Sequence, residues 1–359
     1  MNLELVKQLT NAFGPSGFED EVVKVVKQNC KEFDCTSDAM HNIFMKMKNH
    51  TGKKPVVMLD AHLDELGFMV KHISSNGLIS FVTLGGWVAT NVPAHSVYIR
   101  NRKGELIKGI TTSKPPHFMT EAERTSKLQI ESICIDVGAS SYKEVTELFG
   151  IQVGDPVMPD ALFEHNKIND TLFGKAFDNR VGCYCIIETM KRLINQSNLY
   201  VDVVGGFAAQ EENGTRGAKI TANTLKPDLA IVFEGSPSDD MYYDILEAQG
   251  ALKKGTQIRH IDSSYVSNPE FIAFAKEVGD KNGIKYQSAV RRSGGTNAGV
   301  IHQMADKNIP CLVLGIPCRY VHSHYNWCAI EDIEATASMA TEVIKALNQT
   351  ALDKIFFKD

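Results

Sequence analysis

The stretch Val56-Val-Met-Leu-Asp60-Ala-His62-Leu-Asp64-Glu65 opens as an apolar, β-branched run and passes directly into acids grouped around one histidine. A short apolar run bounded in this way reads as a strand buried on both faces. Three other segments repeat the arrangement: Val201–Phe207 leads into Gln210-Glu211-Glu212, Leu229–Phe233 into Glu234, and Cys311–Leu314 is followed by Tyr320-Val-His322. Helical patterns lie around these strands. Asn268-Pro269 offers a cap and a first-turn proline ahead of Phe271, Ile272, Phe274, Ala275 and Val278, and Gly283 closes the run. Ser16 and Glu19 have the spacing of a capping box before Val22, Val23, Val25 and Val26. The alternation predicts an α/β fold with a mostly parallel sheet and helices on both faces.

Residues 69–162 break this rhythm. Glycines at 77, 85, 86, 104, 109, 138, 150 and 154 punctuate short strands such as Ser96–Arg100, the composition of a small β-rich, barrel-like unit. The expected organisation is one α/β domain made of residues 1–68 and 163–359, interrupted by a β-rich domain over 69–162. The chain has 359 residues, enough for about two domains at roughly 150 residues each. With 38 Lys+Arg against 43 Asp+Glu its net charge is −5, and its basic pairs Arg291-Arg292 and Lys253-Lys254 are isolated from aromatics. A nucleic-acid partner is therefore not expected, and those basic residues read as solvated or interface charges. Eight cysteines without a CxxC pair read as reduced thiols, Cys183 and Cys185 as buried structural residues, and no apolar run reaches the ~20 residues that span a bilayer. These features together describe a soluble cytoplasmic protein with no membrane partner.

Ligands of open α/β sheets bind at the carboxyl ends of the strands, where all four acid- or histidine-bearing segments terminate. A fifth segment, Lys175-Ala-Phe-Asp178-Asn-Arg180, places Asp178 before a helical run, where an anion is favoured. Carboxylates converging in this way repel one another unless positive charge lies between them. Two divalent cations that share one carboxylate, each with a further carboxylate and a histidine, need two His and three Asp/Glu. His62, Asp178, Glu212, Glu234 and His322 meet that count. Glu211 is then left over in the position of a general base, and Asp64 is placed to orient the His62 imidazole. Taken singly, each motif has a plain reading as a turn, a solvated acidic pair or a helix cap, and the Gly294-Gly295-Thr296 loop reads equally as a tight turn.

The ordered set Leu9-Thr, Ser16-Gly-Phe-Glu19, Ala61-His-Leu-Asp-Glu-Leu-Gly67, Gly85-Gly-Trp87, Lys114-Pro-Pro-His117, Gly174-Lys-Ala-Phe-Asp-Asn-Arg180, Gln210-Glu-Glu-x-Gly-x-Arg-Gly-Ala218, Gly294-Gly-Thr296 and Arg319-Tyr-Val-His-Ser323 resembles the M42 family of metallo-aminopeptidases over nearly the whole chain. The resemblance implies hydrolysis of N-terminal residues from short peptides with two divalent ions per subunit, Zn²⁺ foremost and Co²⁺ or Mn²⁺ as substitutes. It also implies His62 and Glu234 on one ion, Glu212 and His322 on the other, Asp178 bridging, and Glu211 as base; the preference for His322 over His324 comes from it alone. It further implies a homo-oligomer, a dimer at least and a dodecamer in the fullest form, with the β-rich insertion helping subunits associate. Two positions depart from the family pattern: Glu234 stands where aspartate is usual, and Gly-Gly-Thr-Asp becomes Gly294-Gly-Thr-Asn297. A non-catalytic peptide-binding homologue is one alternative. A glycoside hydrolase is another, although two carboxylates suffice for that chemistry and the two histidines would have no role.

Overall fold

A computed structural model describes residues 1–304 and 307–358. At the centre of its large sheet four parallel strands lie in the order Asp202–Ala208, Val56–His62, Leu229–Pro237 and Cys311–Arg319, with antiparallel Ile43–Lys46 and Asn326–Ala329 on the flanks. The register sets Ala208 beside His62 and Val232 beside Asp60, so the acid-bearing segments leave the sheet at one edge and at one height. The strand from Val56 runs on through His62.

Side chains alternate between two apolar layers, as the period of two in a strand dictates. Val57, Leu59, Ala61, Ile231 and Phe233 face Val181, Tyr184 and Ile187 of the helix Phe177–Leu193, whereas Met58, Val204, Ala230 and Val232 face Ala218, Ala222 and Leu225 of the helix Arg216–Leu225. Both faces are covered, which is why these strands are apolar throughout.

The second unit is a closed barrel of six strands in the order Gly67–Ile73, Ile79–Leu84, Cys134–Asp136, Leu106–Thr112, Ser96–Arg100 and Pro156–Pro159. Its interior is filled by its own cluster, including Phe68, Val70, Phe81, Val97, Ile99, Ile135 and Val157. Aromatic rings continue from that core to the main sheet: Phe68 stacks on Trp87 at 4.7 Å, Trp87 meets His324 at 5.0 Å, and His324 stacks on His95 at 4.2 Å. His324 is buried in this column, and desolvation with His95 beside it pushes its pKa down to about 3.

The Asn268 cap forms as expected, with its Oδ1 accepting the Phe271 N–H at 2.9 Å and Gly283 ending the helix at φ 65°. The Ser16–Glu19 capping box does not form. Glu19 takes the cap position of the Asp20–Asn29 helix without a side-chain cap bond, because Ser16 Oγ donates to Asp64 and the Glu19 carboxylate accepts N–H groups of Gly17 and Gln210. Tertiary partners outcompete the local ones.

Gly235 marks the tightest join between sheet and helix: a Cβ there would lie 2.5 Å from Asp178 Cα. Gly235→Ala is expected to lower stability by about 1–3 kcal/mol in urea denaturation, because the helix start must retreat to make room.

Candidate active site

The helix Phe177–Leu193 begins irregularly. Ala176 is left-handed at φ 56°, Asp178 and Asn179 keep non-helical angles, and a cis peptide joins them. Asn179 Nδ2 donates to the Phe233 carbonyl at 2.8 Å and to Glu234 at 3.3 Å, so the helix start is tied to the strand that carries Glu234. Asp178 is thereby held over the sheet edge with its two oxygens pointing to two different histidines: Oδ1 lies 3.1 Å from His62 Nε2 and Oδ2 lies 3.7 Å from His322 Nε2.

The remaining acids complete two groups around this carboxylate. One ligand atom from each of His62, Asp178 and Glu234 lies within 4.8 Å of the others, and the same holds for Asp178, Glu212 and His322. His322 Nε2 stands 3.7 Å from Glu212 Oε2, and Glu211 Oε2 stands 3.9 Å from His62 Nε2. All seven residues singled out in the sequence are therefore brought together. Asp64 differs from expectation in detail. Its backbone oxygen is the nearest partner of His62 Nδ1 at 3.2 Å, with the carboxylate at 3.4 Å, while Oδ1 and Oδ2 accept the Glu211 and Glu212 N–H groups at 2.9 and 3.1 Å.

So many acids in one buried place do not all ionise. Burial pushes the Glu211 carboxyl up to about 7, assisted by Asp64 and Asp178 and opposed by His62; burial, Asp178 and Glu211 hold Glu212 and Glu234 well above the usual carboxylate range. Burial alone would lower the His62 pKa, but Glu211, Asp178 and Asp64 outweigh it and raise it well above 6.5. Glu212 Oε1 is buried without a hydrogen-bond partner among the described residues. Each carboxylate–imidazole group is a donor set suited to a divalent cation, which would supply the missing positive charge and a partner for that oxygen.

Several supporting groups were not legible in the sequence. His322 Nδ1 donates to the Gly86 carbonyl of the barrel at 2.8 Å, which leaves Nε2 turned to the acids. Lys175 and Arg180, on either side of Asp178, converge on Glu65 at 2.7 and 3.3 Å; all three are buried, and burial lowers the Lys175 pKa to about 8. Arg291 is a correction. Expected as a solvated or interface charge, it lies with Arg259 in the wall of a cavity of about 540 Å³ that opens onto Asp178, Glu211, Glu212, Glu234 and His322. Arg291 is held by Asp239 at 3.3 Å and the Pro237 carbonyl at 2.8 Å, Arg259 by Asp262 at 3.2 Å and Ser236 at 2.7 Å, and the Nε of each is buried without a partner among the described residues. Gly294 and Gly295 line the same cavity. Cys183 and Cys185 are fully buried, as expected.

A family model described as M42 glutamyl aminopeptidase matches residues 41–339. The chain belongs to that family. It is 31% identical over 353 residues to the glutamyl aminopeptidase of Lactococcus lactis subsp. cremoris, covering 98% of each chain. Among solved structures it is similar to a TET aminopeptidase of the archaeon Thaumarchaeota archaeon SCGC AB-539-E09, with a TM-score of 0.93, 33% identity and coverage of 98% of this chain and 99% of that one. The Pyrococcus horikoshii TET1 peptidase, described as assembling into a tetrahedron or a large octahedral shell, superposes with a TM-score of 0.85 at 26% identity over 96% of this chain and 99% of that one.

Against the M42 pattern, Asn297 has a clear physical setting. Its Nδ2 donates to Asp60 Oδ2 at 2.8 Å, and both residues are buried. An aspartate at 297 would face the Asp60 carboxylate at that distance, a repulsion of about 4 kcal/mol or more even in a well-screened interior. Asp60 itself is raised to about 7 by burial, against the opposing Asn297 hydrogen bond.

These raised carboxyls give a signed pH dependence. In the metal-free chain Glu211 stays protonated above its ordinary 4.5 and up to about 7, so the folded state binds more protons than the unfolded state across that window. Stability of the metal-free protein should therefore fall as pH rises from about 4.5 to 7. Cations need the ionised carboxylates, so Zn²⁺ uptake at pH 6 should release protons and strengthen with pH. Calorimetric titration in two buffers of different ionisation heat, with thermal melts of the metal-free chain, checks both; uptake without proton release would contradict the assignment of protonated acids.

Proposed function

We propose that this M42 family member is a metal-dependent aminopeptidase that removes N-terminal residues from short peptides. The observation that carries the reading is the single carboxylate Asp178 facing two imidazoles, 3.1 Å from one and 3.7 Å from the other, with one further acid beside each. In this reading His62 and Glu234 would hold one divalent cation and Glu212 and His322 the other, with Asp178 available to both. Bound there, a pair such as Zn²⁺, or Co²⁺ or Mn²⁺ in its place, supplies Lewis acidity toward the scissile carbonyl and lowers the pKa of water at the site. Glu211 then takes the proton of the attacking water and delivers it to the leaving amine. Asp64 acts on Glu211 through the backbone and keeps the His62 ring in place.

The cavity beside these groups would receive the substrate's N-terminal side chain. Its lining includes the guanidinium side chains of Arg259 and Arg291, whose positive charge favours an acidic side chain, in line with the glutamyl specificity in the Lactococcus relative's name. The free state of all eight cysteines fits a reducing, cytoplasmic location, and no helix among the described residues is long and apolar enough to cross a membrane. The likeness to TET peptidases described as a dodecamer, a tetrahedron or a large octahedral shell supports a homo-oligomer, a dimer at least, and in this reading the barrel helps subunits associate.

Glu211→Gln should reduce turnover of aminoacyl p-nitroanilides by about 10²–10⁴-fold while metal content by elemental analysis stays unchanged. EDTA should abolish wild-type activity and Zn²⁺ or Co²⁺ restore it; hydrolysis that survives chelation would exclude this mechanism. Across an aminoacyl panel, kcat/KM for a glutamyl substrate should exceed that for a leucyl one, and Arg291→Ala should cut the glutamyl value about tenfold, roughly 1.4 kcal/mol, with the leucyl value nearly unchanged.

A further inference from the structure

The Ser16-Gly-Phe-Glu19 motif does not cap its helix, and the reaction above gives it no role. Its contacts lead to the turn that carries Glu211 and Glu212. That turn presents four consecutive backbone N–H groups to side chains: Ala209 to Asn42 Oδ1 at 2.8 Å, Gln210 to Glu19 Oε1 at 3.1 Å, and Glu211 and Glu212 to the two oxygens of Asp64 at 2.9 and 3.1 Å. The three acceptors come from separate parts of the chain. Asn42 is fixed in turn by Asp38, which accepts its N–H at 2.9 Å and its Nδ2 at 2.8 Å, and Ser16 Oγ donates to Asp64 Oδ2 at 2.5 Å.

Glu19 is the acceptor on which the backbone path turns. Its side chain is wholly buried; Oε1 also accepts the Gly17 N–H at 2.8 Å, and Oε2 lies 3.1 Å from His41 Nδ1. Gln210, whose N–H it holds, sits at φ 55°, in the left-handed region that a residue with a Cβ seldom adopts. Two residues of that turn point into the site only because the chain reverses there. Without an acceptor, the half-buried Gln210 N–H loses its protein partner and the turn can relax to a commoner backbone angle.

We propose that Glu19, seconded by Asn42, is a positioning residue for the reaction: by pinning the 209–212 backbone it sets the direction in which Glu211 and Glu212 leave the turn. This rests on the reading of Glu211 as the base and Glu212 as a metal ligand. It differs from a purely structural role, which would lower stability and leave kcat alone. The oxygen matters more than the charge, because a carboxamide also accepts an N–H.

The test uses the full-length, metal-saturated enzyme and an aminoacyl p-nitroanilide. Glu19→Ala is expected to lower kcat about tenfold or more with KM within about twofold, and Glu19→Gln to recover kcat to within about threefold of wild type. Titration of the metal-free Glu19→Ala chain with Zn²⁺ alone should show one of two binding events weakened about tenfold, the one that uses Glu212, and the other unchanged. Should Glu19→Ala fail to fold, Glu19→Gln and Asn42→Ala decide the matter, the latter with a kcat loss of about threefold at unchanged KM. A folded Glu19→Ala enzyme with wild-type kcat and both Zn²⁺ affinities intact overturns the proposal, as does a Gln variant no better than the Ala variant. If the wild-type holoenzyme hydrolyses nothing, the assigned activity is at fault instead, and the Zn²⁺ titration still reads the placement of Glu212.

Discussion

Six carboxylates, Asp60, Asp64, Asp178, Glu211, Glu212 and Glu234, crowd the carboxyl edge of one sheet around the fully buried His62, and their mutual repulsion is the constraint under which the rest of the structure is arranged. Left to themselves such groups would either take up protons or push apart. The fold prevents the second outcome. The acids are delivered by four separate elements: two strand ends at a common height, a helix start locked to Phe233 and Glu234 by Asn179, and a turn whose four N–H groups from Ala209 to Glu212 are taken. What remains is a place whose favourable state contains added positive charge.

The same constraint explains where the chain places its own cations. Lys175 and Arg180 flank Asp178 in sequence yet turn away to share Glu65. Arg180 also donates to the Leu9, Ala12 and Gly14 carbonyls, so its charge is spent on binding the N-terminal segment to the helix. A guanidinium turned to Asp178 would compete with a metal for the same oxygens. Asn297 follows the same logic: a neutral amide donates to Asp60 without adding a further negative charge to the cluster.

Much of the fold was readable because parallel strands buried on both faces must be apolar along their length, so an acid or histidine at the end of such a run marks the edge of the sheet. Val56–Leu59 into His62 and Leu229–Phe233 into Glu234 are read on that ground alone, and the glycine-punctuated stretch likewise announced a barrel. The unread part depends on contacts that no local period encodes. The Ser16–Glu19 spacing is that of a capping box, but Asp64 and Gln210 are better partners for those side chains and lie 48 and 191 residues away. Arg291 read as a solvated or interface charge because the Arg291-Arg292 pair is short and isolated from aromatics; Asp239, 52 residues upstream, holds it in the cavity wall.

The Gly86 carbonyl that orients His322 reaches across 236 residues, from the barrel into the sheet domain. Trp87 holds that elbow by donating its indole N–H to the Gly67 carbonyl at 3.0 Å, and a Cβ at Gly85 would strike Leu66. The barrel is thus not an interchangeable accessory. In any chimera that exchanges the barrel, the Gly85-Gly86-Trp87 elbow must travel with the histidine it serves, so the two units are inherited as one part at that point.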